Sequence, residues 1–248
     1  MTYCVGLKLN RGLVFMSDTR TNAGVDNIST FKKMHTWEVP GERVITLLTA
    51  GNLATTQAVV SILDERGKAP EDRSPSLLEA PSMFQAAGLV GQVLKDIIAD
   101  NANVGQKAAS TFNASIIMGG QIKGMPPRLF LIYPEGNFVE ASADTPFFQI
   151  GETKYGKPIL VRAYDPDMDF ETTIKLLLVS FDSTVKSNLS VALPFDVMTY
   201  ETDKLVINRE ERVTEDNSHY QAISNNWSEA LREAFSSLPD FSFEKQTD

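Results

Sequence analysis

The chain has 248 residues, 42% hydrophobic and 22% charged, with a formal charge of −9 and a single cysteine, Cys4. No apolar run approaches the roughly 18 residues of a membrane helix. No basic stripe suits a nucleic-acid backbone, and one cysteine excludes an internal disulfide framework. No basic stretch followed by an apolar one opens the chain, so no signal peptide is expected and the setting reads as cytoplasmic. The length fits one large domain or two small ones.

Tyr3, Val5, Leu7 and Leu9 alternate at strand spacing, Asn10-Arg11-Gly12 turns, and Leu13 to Met16 resumes the strand. Met34 to Val39 and Val44 to Ala50 make a second hairpin across Pro40-Gly41. Helices are expected over Asn52 to Arg66 and Pro81 to Asp100, with Met83, Ala87, Val90, Leu94 and Ile97 on one stripe. Between them Lys68 to Ala80 reads as a loop. Strands return at Ser115 to Met118, Arg128 to Tyr133, Phe138 to Glu140 and Phe147 to Ile150, punctuated by Gly119-Gly120 and Pro134-Glu135-Gly136. A helix from Asp169 to about Ser187 presents Phe170, Ile174, Leu177, Phe181 and Val185. A strand follows at Phe195 to Tyr200, then a last amphipathic helix over about 218–238. Runs of strands then runs of helices fit packed antiparallel sheets with helices outside, an α+β fold, rather than a parallel βαβ sheet.

The chemistry concentrates at the front. Thr2 follows the initiator methionine, which cells usually clip before so small a residue. Clipping would leave a hydroxyl and a free α-amine on one residue, a nucleophile carrying its own base. Such an amine titrates at about 7.7–8.0, so neutral pH leaves a usable fraction unprotonated. A cation is needed to tune it, and Lys33 stands in Phe31-Lys32-Lys33-Met34-His35. A carboxylate is needed to hold that cation, and Asp18 ends the first hairpin. A backbone N–H is needed for the oxyanion, and Gly51 sits between a strand and a helix. Strand alternation admits only one of Lys32 and Lys33 on the Thr2 face.

These residues resemble the proteasome-type peptidases of the N-terminal nucleophile hydrolase superfamily. Met1-Thr2-Tyr3-Cys4-Val5, Ser17-Asp18-Thr19-Arg20-Thr21-Asn22-Ala23-Gly24, Thr49-Ala50-Gly51-Asn52-Leu53-Ala54-Thr55-Thr56-Gln57 and Ile150-Gly151-Glu152-Thr153-Lys154-Tyr155-Gly156-Lys157-Pro158 are similar to the bacterial Anbu branch, the ancestral β subunit. The resemblance implies a four-layer αββα sandwich of two antiparallel sheets, one proteasome-β-like domain over 1–248, and threonine-type peptide or amide hydrolysis. It implies a self-assembling homo-oligomer, as a ring or an open helical turn. It assigns Thr2 as nucleophile and base, Asp18 and Lys33 (rather than Lys32) as its support, Gly51 as oxyanion donor, and Thr21 and Asn22 as partners of substrate backbone. Arg20 is a possible accessory. Two departures stand out. Glu152, with Thr153 next, occupies the place of a proteasomal serine, and Ser187-Asn188-Leu189-Ser190 aligns loosely with an Asp-x-x-Ser element but lacks its Asp. A specialised small-amide hydrolase, with Glu152 suiting a cationic substrate, and a low-turnover assembly scaffold are the competing expectations.

The other signals read as structural. Gly151 to Lys157 has the skeleton of a phosphate loop, but Pro158 stands where the magnesium-binding hydroxyl belongs. Cys4 reads as a small buried hydrophobe. His35 and His219 lack metal-ligand spacing and read as surface or packing residues, so neither metal nor cofactor is expected. Trp227 and Phe235 suit either core packing or a subunit contact. Glu210-Glu211 with Glu215-Asp216 reads as a solvated loop. No ATPase module is seen, so any unfoldase would be a separate protein.

Overall fold

The computed structural model describes residues 2–22, 28–68, 75–104 and 112–243. The first hairpin is β1 (Tyr3–Leu9) with β2 (Gly12–Asp18). Short strands β3 (Arg20–Asn22) and β4 (Ile28–Thr30) pair with each other. The second long hairpin is β5 (Met34–Val39) with β6 (Arg43–Gly51), followed by α1 (Leu53–Lys68) and α2 (Met83–Val104). Then come β7 (Ala114–Ile122), β8 (Arg128–Ile132), β9 (Phe138–Glu140) and β10 (Phe147–Gly151). The chain continues through α3 (Lys157–Ala163), α4 (Phe170–Ser187), β11 (Phe195–Glu201), β12 (Arg209–Val213) and α5 (Ser218–Ser236).

Two five-stranded antiparallel sheets result, ordered β10-β1-β2-β11-β12 and β5-β6-β7-β8-β9. β1 and β2 are buried along nearly their whole length, as strands covered on both faces must be. Their alternating side chains divide between two apolar clusters. Cys4, Leu13 and Phe15 meet Val44, Leu48, Ile117 and Leu129 of the other sheet. Val5, Val14 and Met16 meet Leu160 of α3, Leu177 and Phe181 of α4, and Tyr220 of α5. A third cluster joins Ile45, Leu47, Ile116, Met118 and Phe130 to Val59 and Leu63 of α1 and to the α2 stripe of Met83, Ala87, Val90, Leu94 and Ile97. The α4 face expected from periodicity lies in the second cluster, and the helix is capped by Asp169, which accepts from Thr172 N–H at 2.7 Å. Among the described residues no helix is long and apolar enough to cross a membrane.

The fold corrects several sequence readings. Gly119-Gly120 does not end a strand but lies inside β7. A side chain at Gly119 would stand 2.7 Å from Phe15 Cζ and 2.9 Å from Leu129 Cδ1, so the glycine makes room for Phe15 between the sheets. Glu210 and Glu211 are not loop residues. They belong to β12, an edge strand whose exposed charges carry no apolar alternation and discourage further pairing. Neither α3, which opens after Gly156 with Pro158 in its first turn, nor the β3–β4 pair is marked by periodicity.

Gly119→Ala is expected to destabilise the protein by about 1–3 kcal/mol through overpacking, read as a lower denaturant midpoint with an unchanged slope. An unchanged midpoint would show that Phe15 and Leu129 move aside freely.

Candidate active site

The start of the chain is held on two sides. On one, Glu152 N–H donates to the Thr2 carbonyl at 2.7 Å. Gly151 has φ +82°, and a Cβ there would fall 1.9 Å from the Thr2 oxygen, so only glycine lets β10 come this close. On the other side, Tyr3 N–H donates to Asp18 Oδ1 at 2.9 Å. The Tyr3 ring is buried, and its hydroxyl shares a 2.7 Å hydrogen bond with Ser180 Oγ of α4 and accepts from Gln149 Nε2 at 2.7 Å.

Asp18 Oδ1 also takes the Lys33 ammonium, at 2.8 Å. The two side chains are 0% and 5% exposed. Lys33 Nζ donates again to the Arg20 carbonyl at 2.6 Å, and Thr49 N–H donates to the Lys33 carbonyl at 2.9 Å, fastening this segment to β6. Burial pushes the Asp18 carboxyl above its ordinary range, opposed by the Lys33 charge and the Tyr3 N–H. Asp18 Oδ2 and Ser17 Oγ have no hydrogen-bond partner among the described residues.

Above this pair opens a cleft of about 810 Å³ lined by Thr2, Thr21, Lys33, Gly51 and Gly151, with Lys32, His35, Thr49, Ala50 and Gln57 among the others. Gly51 closes β6 at φ +116°, where a Cβ would meet the Asn113 carbonyl oxygen at 2.4 Å. Both lysines reach the cleft because residues 31–33 precede β5 and escape strand alternation. They differ in partner: Lys32 meets Glu210 at 3.2 Å with both side chains roughly half exposed. His35, read from sequence as a surface or packing residue, lines the cleft too, as do Thr49 and Gln57, which the sequence reading gave no site role. His35 stands on β5, two residues past Lys33, and burial foremost, with the charge of Lys32 next, pulls its imidazole below the usual value.

The remaining candidates separate into groups. Asn22 pairs with Ile28 in the β3–β4 ribbon. Arg20 Nη1 donates to the Leu189 carbonyl at 3.0 Å. Glu152 lies beneath the cleft, 7% exposed and outside its lining, where Oε2 accepts from Asn188 Nδ2 at 2.9 Å. Asn188 Oδ1 in turn accepts from Ser190 N–H at 2.9 Å. Ser187 Oγ is spent on the Ser183 carbonyl at the exposed end of α4, and Thr153 lines a separate cavity of about 600 Å³ with Phe147, Lys157 and Tyr164. Neither joins the cleft. At Gly156, where a phosphate loop would hold open space, Tyr3 Oη and Ser180 Oγ would lie 2.2 and 2.3 Å from a Cβ. Cys4 is fully buried, and burial pushes its thiol well up, out of reach as a nucleophile.

The chain is 46% identical to the Anbu ancestral β-subunit of Yersinia bercovieri over 97% of its own length and 100% of that chain, with a TM-score of 0.90. It belongs to the Anbu family. Against Anbu of Hyphomicrobium sp. strain MC1 the identity is 52% over 97% of this chain and 100% of that one, TM-score 0.88. Against a subunit of the helical Anbu assembly of Pseudomonas aeruginosa it is 45% over 97% and 98%, TM-score 0.90. No protein-family model and no curated protein matches the chain. Membership places it in the Anbu branch of the proteasome-like proteins.

Lys33→Ala is expected to cost about 3–5 kcal/mol at neutral pH, because it strands a buried carboxylate, whereas Lys32→Ala stays within about 0.5 kcal/mol. With Lys33 gone, nothing of like strength opposes the burial that raises the Asp18 carboxyl. Its folded-state titration then lies above the unfolded one, so the Lys33→Ala deficit shrinks as pH falls and grows as pH rises through the folded-state value. Denaturation at several pH values reads both effects, and equal costs for the two lysines would contradict them.

Proposed function

We propose that this protein is a self-assembling N-terminal threonine hydrolase of peptide or amide bonds. The observation that carries this reading is the buried Lys33–Asp18 pair, with Asp18 also holding Tyr3 N–H and Glu152 N–H holding the Thr2 carbonyl, at a cleft that Thr2 and Lys33 line. Once Met1 is removed, Thr2 Oγ attacks an amide carbonyl while the α-amine takes its proton. The Lys33 ammonium is assigned to favour the neutral amine and the developing alkoxide, and Asp18 Oδ1 holds it in place at 2.8 Å. Gly51 N–H is assigned to the oxyanion. The amine then returns its proton to the leaving nitrogen, and water releases the acyl group. Thr21, on the β3 rim of the cleft, is assigned to extended substrate backbone, with Asn22 beside it.

The three apolar clusters support a four-layer αββα sandwich, and likeness to Anbu chains over 97% of the length supports one domain. Lys32, Lys33 and His35 line the cleft and no carboxylate does so among the described residues, which favours neutral or anionic substrate groups over cationic ones. A cytoplasmic setting remains part of the proposal, and enclosure in an assembly would keep such a site from indiscriminate cleavage.

Assembly finds support in α5. Its first turns are anchored by Tyr220 and Ile223 on α4, but beyond Trp227 the apolar residues leave the domain. Leu231 is 49% exposed, Phe235 77% and Leu238 63%, with Phe241 and Phe243 beyond. An apolar stripe left in water at this scale marks a protein contact. The occupant proposed is a second copy of this chain, as the helical assembly of the Pseudomonas aeruginosa relative suggests. Glu229, Arg232 and Glu233 flank the stripe and offer charge pairs to an antiparallel copy.

Thr2→Ala is expected to lower amide hydrolysis by more than ~10³-fold with the fold intact. Activity that survives Thr2→Ala would sink the nucleophile assignment. The double variant Leu231→Asp, Phe235→Asp should sediment as a smaller species than the parent at equal micromolar concentration. Identical sedimentation would remove α5 from the assembly.

A further inference from the structure

The mechanism above gives no task to Glu152, although the fold invests in burying it. Burying a carboxylate to 7% exposure is costly unless it is paired or hydrogen-bonded. Its side-chain contacts are a neutral amide and a distant lysine. Oε2 accepts from the neutral Asn188 amide at 2.9 Å. The cation it meets among the described residues is Lys154, 3.9 Å from Oε1, with a side chain 75% exposed. A contact that long and that wet holds little energy. Meanwhile the Glu152 backbone N–H donates to the Thr2 carbonyl at 2.7 Å. That backbone contact sets Glu152 beside Thr2, next to the Tyr3–Gly151 pair of β1 and β10.

We propose that Glu152 is the anion that holds the Thr2 α-ammonium exposed when Met1 is removed, orienting that nitrogen beside the Thr2 hydroxyl and restraining the base until it loses its proton. Asn188, at the C-cap of α4, fixes the carboxylate, and Ser190 N–H fixes Asn188 through its Oδ1. Arg20 ties the same loop to β3 through Leu189. The inference rests on Thr2 becoming the first residue. It makes Glu152 a positioning residue acting through the amine, not on substrate.

The charges around that nitrogen act in opposite senses. Lys33, and more weakly the exposed Lys154, favour the neutral amine. Glu152 and Asp18 favour the ammonium, although Asp18 is already engaged by Lys33. Asp196 of β11 is neutralised by Arg212 at 2.7 Å, and Arg20 points to the α4–β11 loop. Removing the Glu152 charge therefore moves the amine towards its neutral form at lower pH.

The test uses protein released from an N-terminal fusion so that Thr2 is the first residue. Competitive acetylation with trace acetic anhydride, followed on the N-terminal peptide by mass spectrometry across the neutral and alkaline range, titrates the α-amine. Glu152→Gln is expected to titrate about one pH unit below the parent, the low end of the effect of an adjacent opposite charge. Glu152→Asp should stay close to the parent. Glu152→Ser replaces Gln should that variant fail to fold. Coincident titrations of parent and neutral variants would overturn the inference. The titration needs no turnover, so a catalytically idle Thr2 would defeat the proposed function and leave this result readable.

Discussion

One carboxylate oxygen organises the front of this molecule. Asp18 Oδ1 accepts the Tyr3 N–H and the Lys33 ammonium together, and so ties the start of β1, the end of β2 and the approach to β5 in one buried knot. Two ions leave water to form it, and that cost is met only because the geometry is close and the lysine is bonded a second time, to the Arg20 carbonyl. The sheets around it are built to allow this. Phe15 fills the space opposite Gly119, and Gly151 lets β10 touch the Thr2 carbonyl. The chain start is held against a fixed charge, the pre-set charge that the proposed N-terminal nucleophile would require.

Much of this was legible in the sequence because local pattern and tertiary role agree there. Alternation in Tyr3 to Leu9 and the stripes of α2 and α4 report the same faces that the clusters bury. Asp18, Lys33 and Gly51 lie at element ends, and their order along the chain resembles the proteasome-type peptidases. The illegible parts are those decided across the fold. Gly119 is read locally as a breaker, yet its meaning depends on a phenylalanine 104 positions earlier, Phe15. β12 shows four exposed residues and one buried, so it carries no period to read. Lys32 and Lys33 were expected on opposite faces, but both line the cleft because no strand has begun. Glu152 looked like a group presented to substrate. Its burial and its hydrogen bond from Asn188 keep it out of the cleft lining.

The far end of the chain shows the opposite economy. α5 is capped by Asn217 and anchored by Tyr220, whose hydroxyl donates to Asp182 Oδ1 at 3.2 Å. It then carries apolar residues away from any surface of its own domain. Under the proposed assembly such a helix would gain its remaining burial from a second copy, and the same contact would set how cleft faces cleft. The rotation between copies decides whether the assembly closes or climbs.

The most direct measurement of the central claim is the intact mass of the purified protein before and after treatment with a hydroxyl-reactive β-lactone or epoxyketone. The account predicts a chain lacking Met1 that gains one probe, mapped to Thr2. A processed chain that takes no probe, or takes it at a residue other than Thr2, would contradict it.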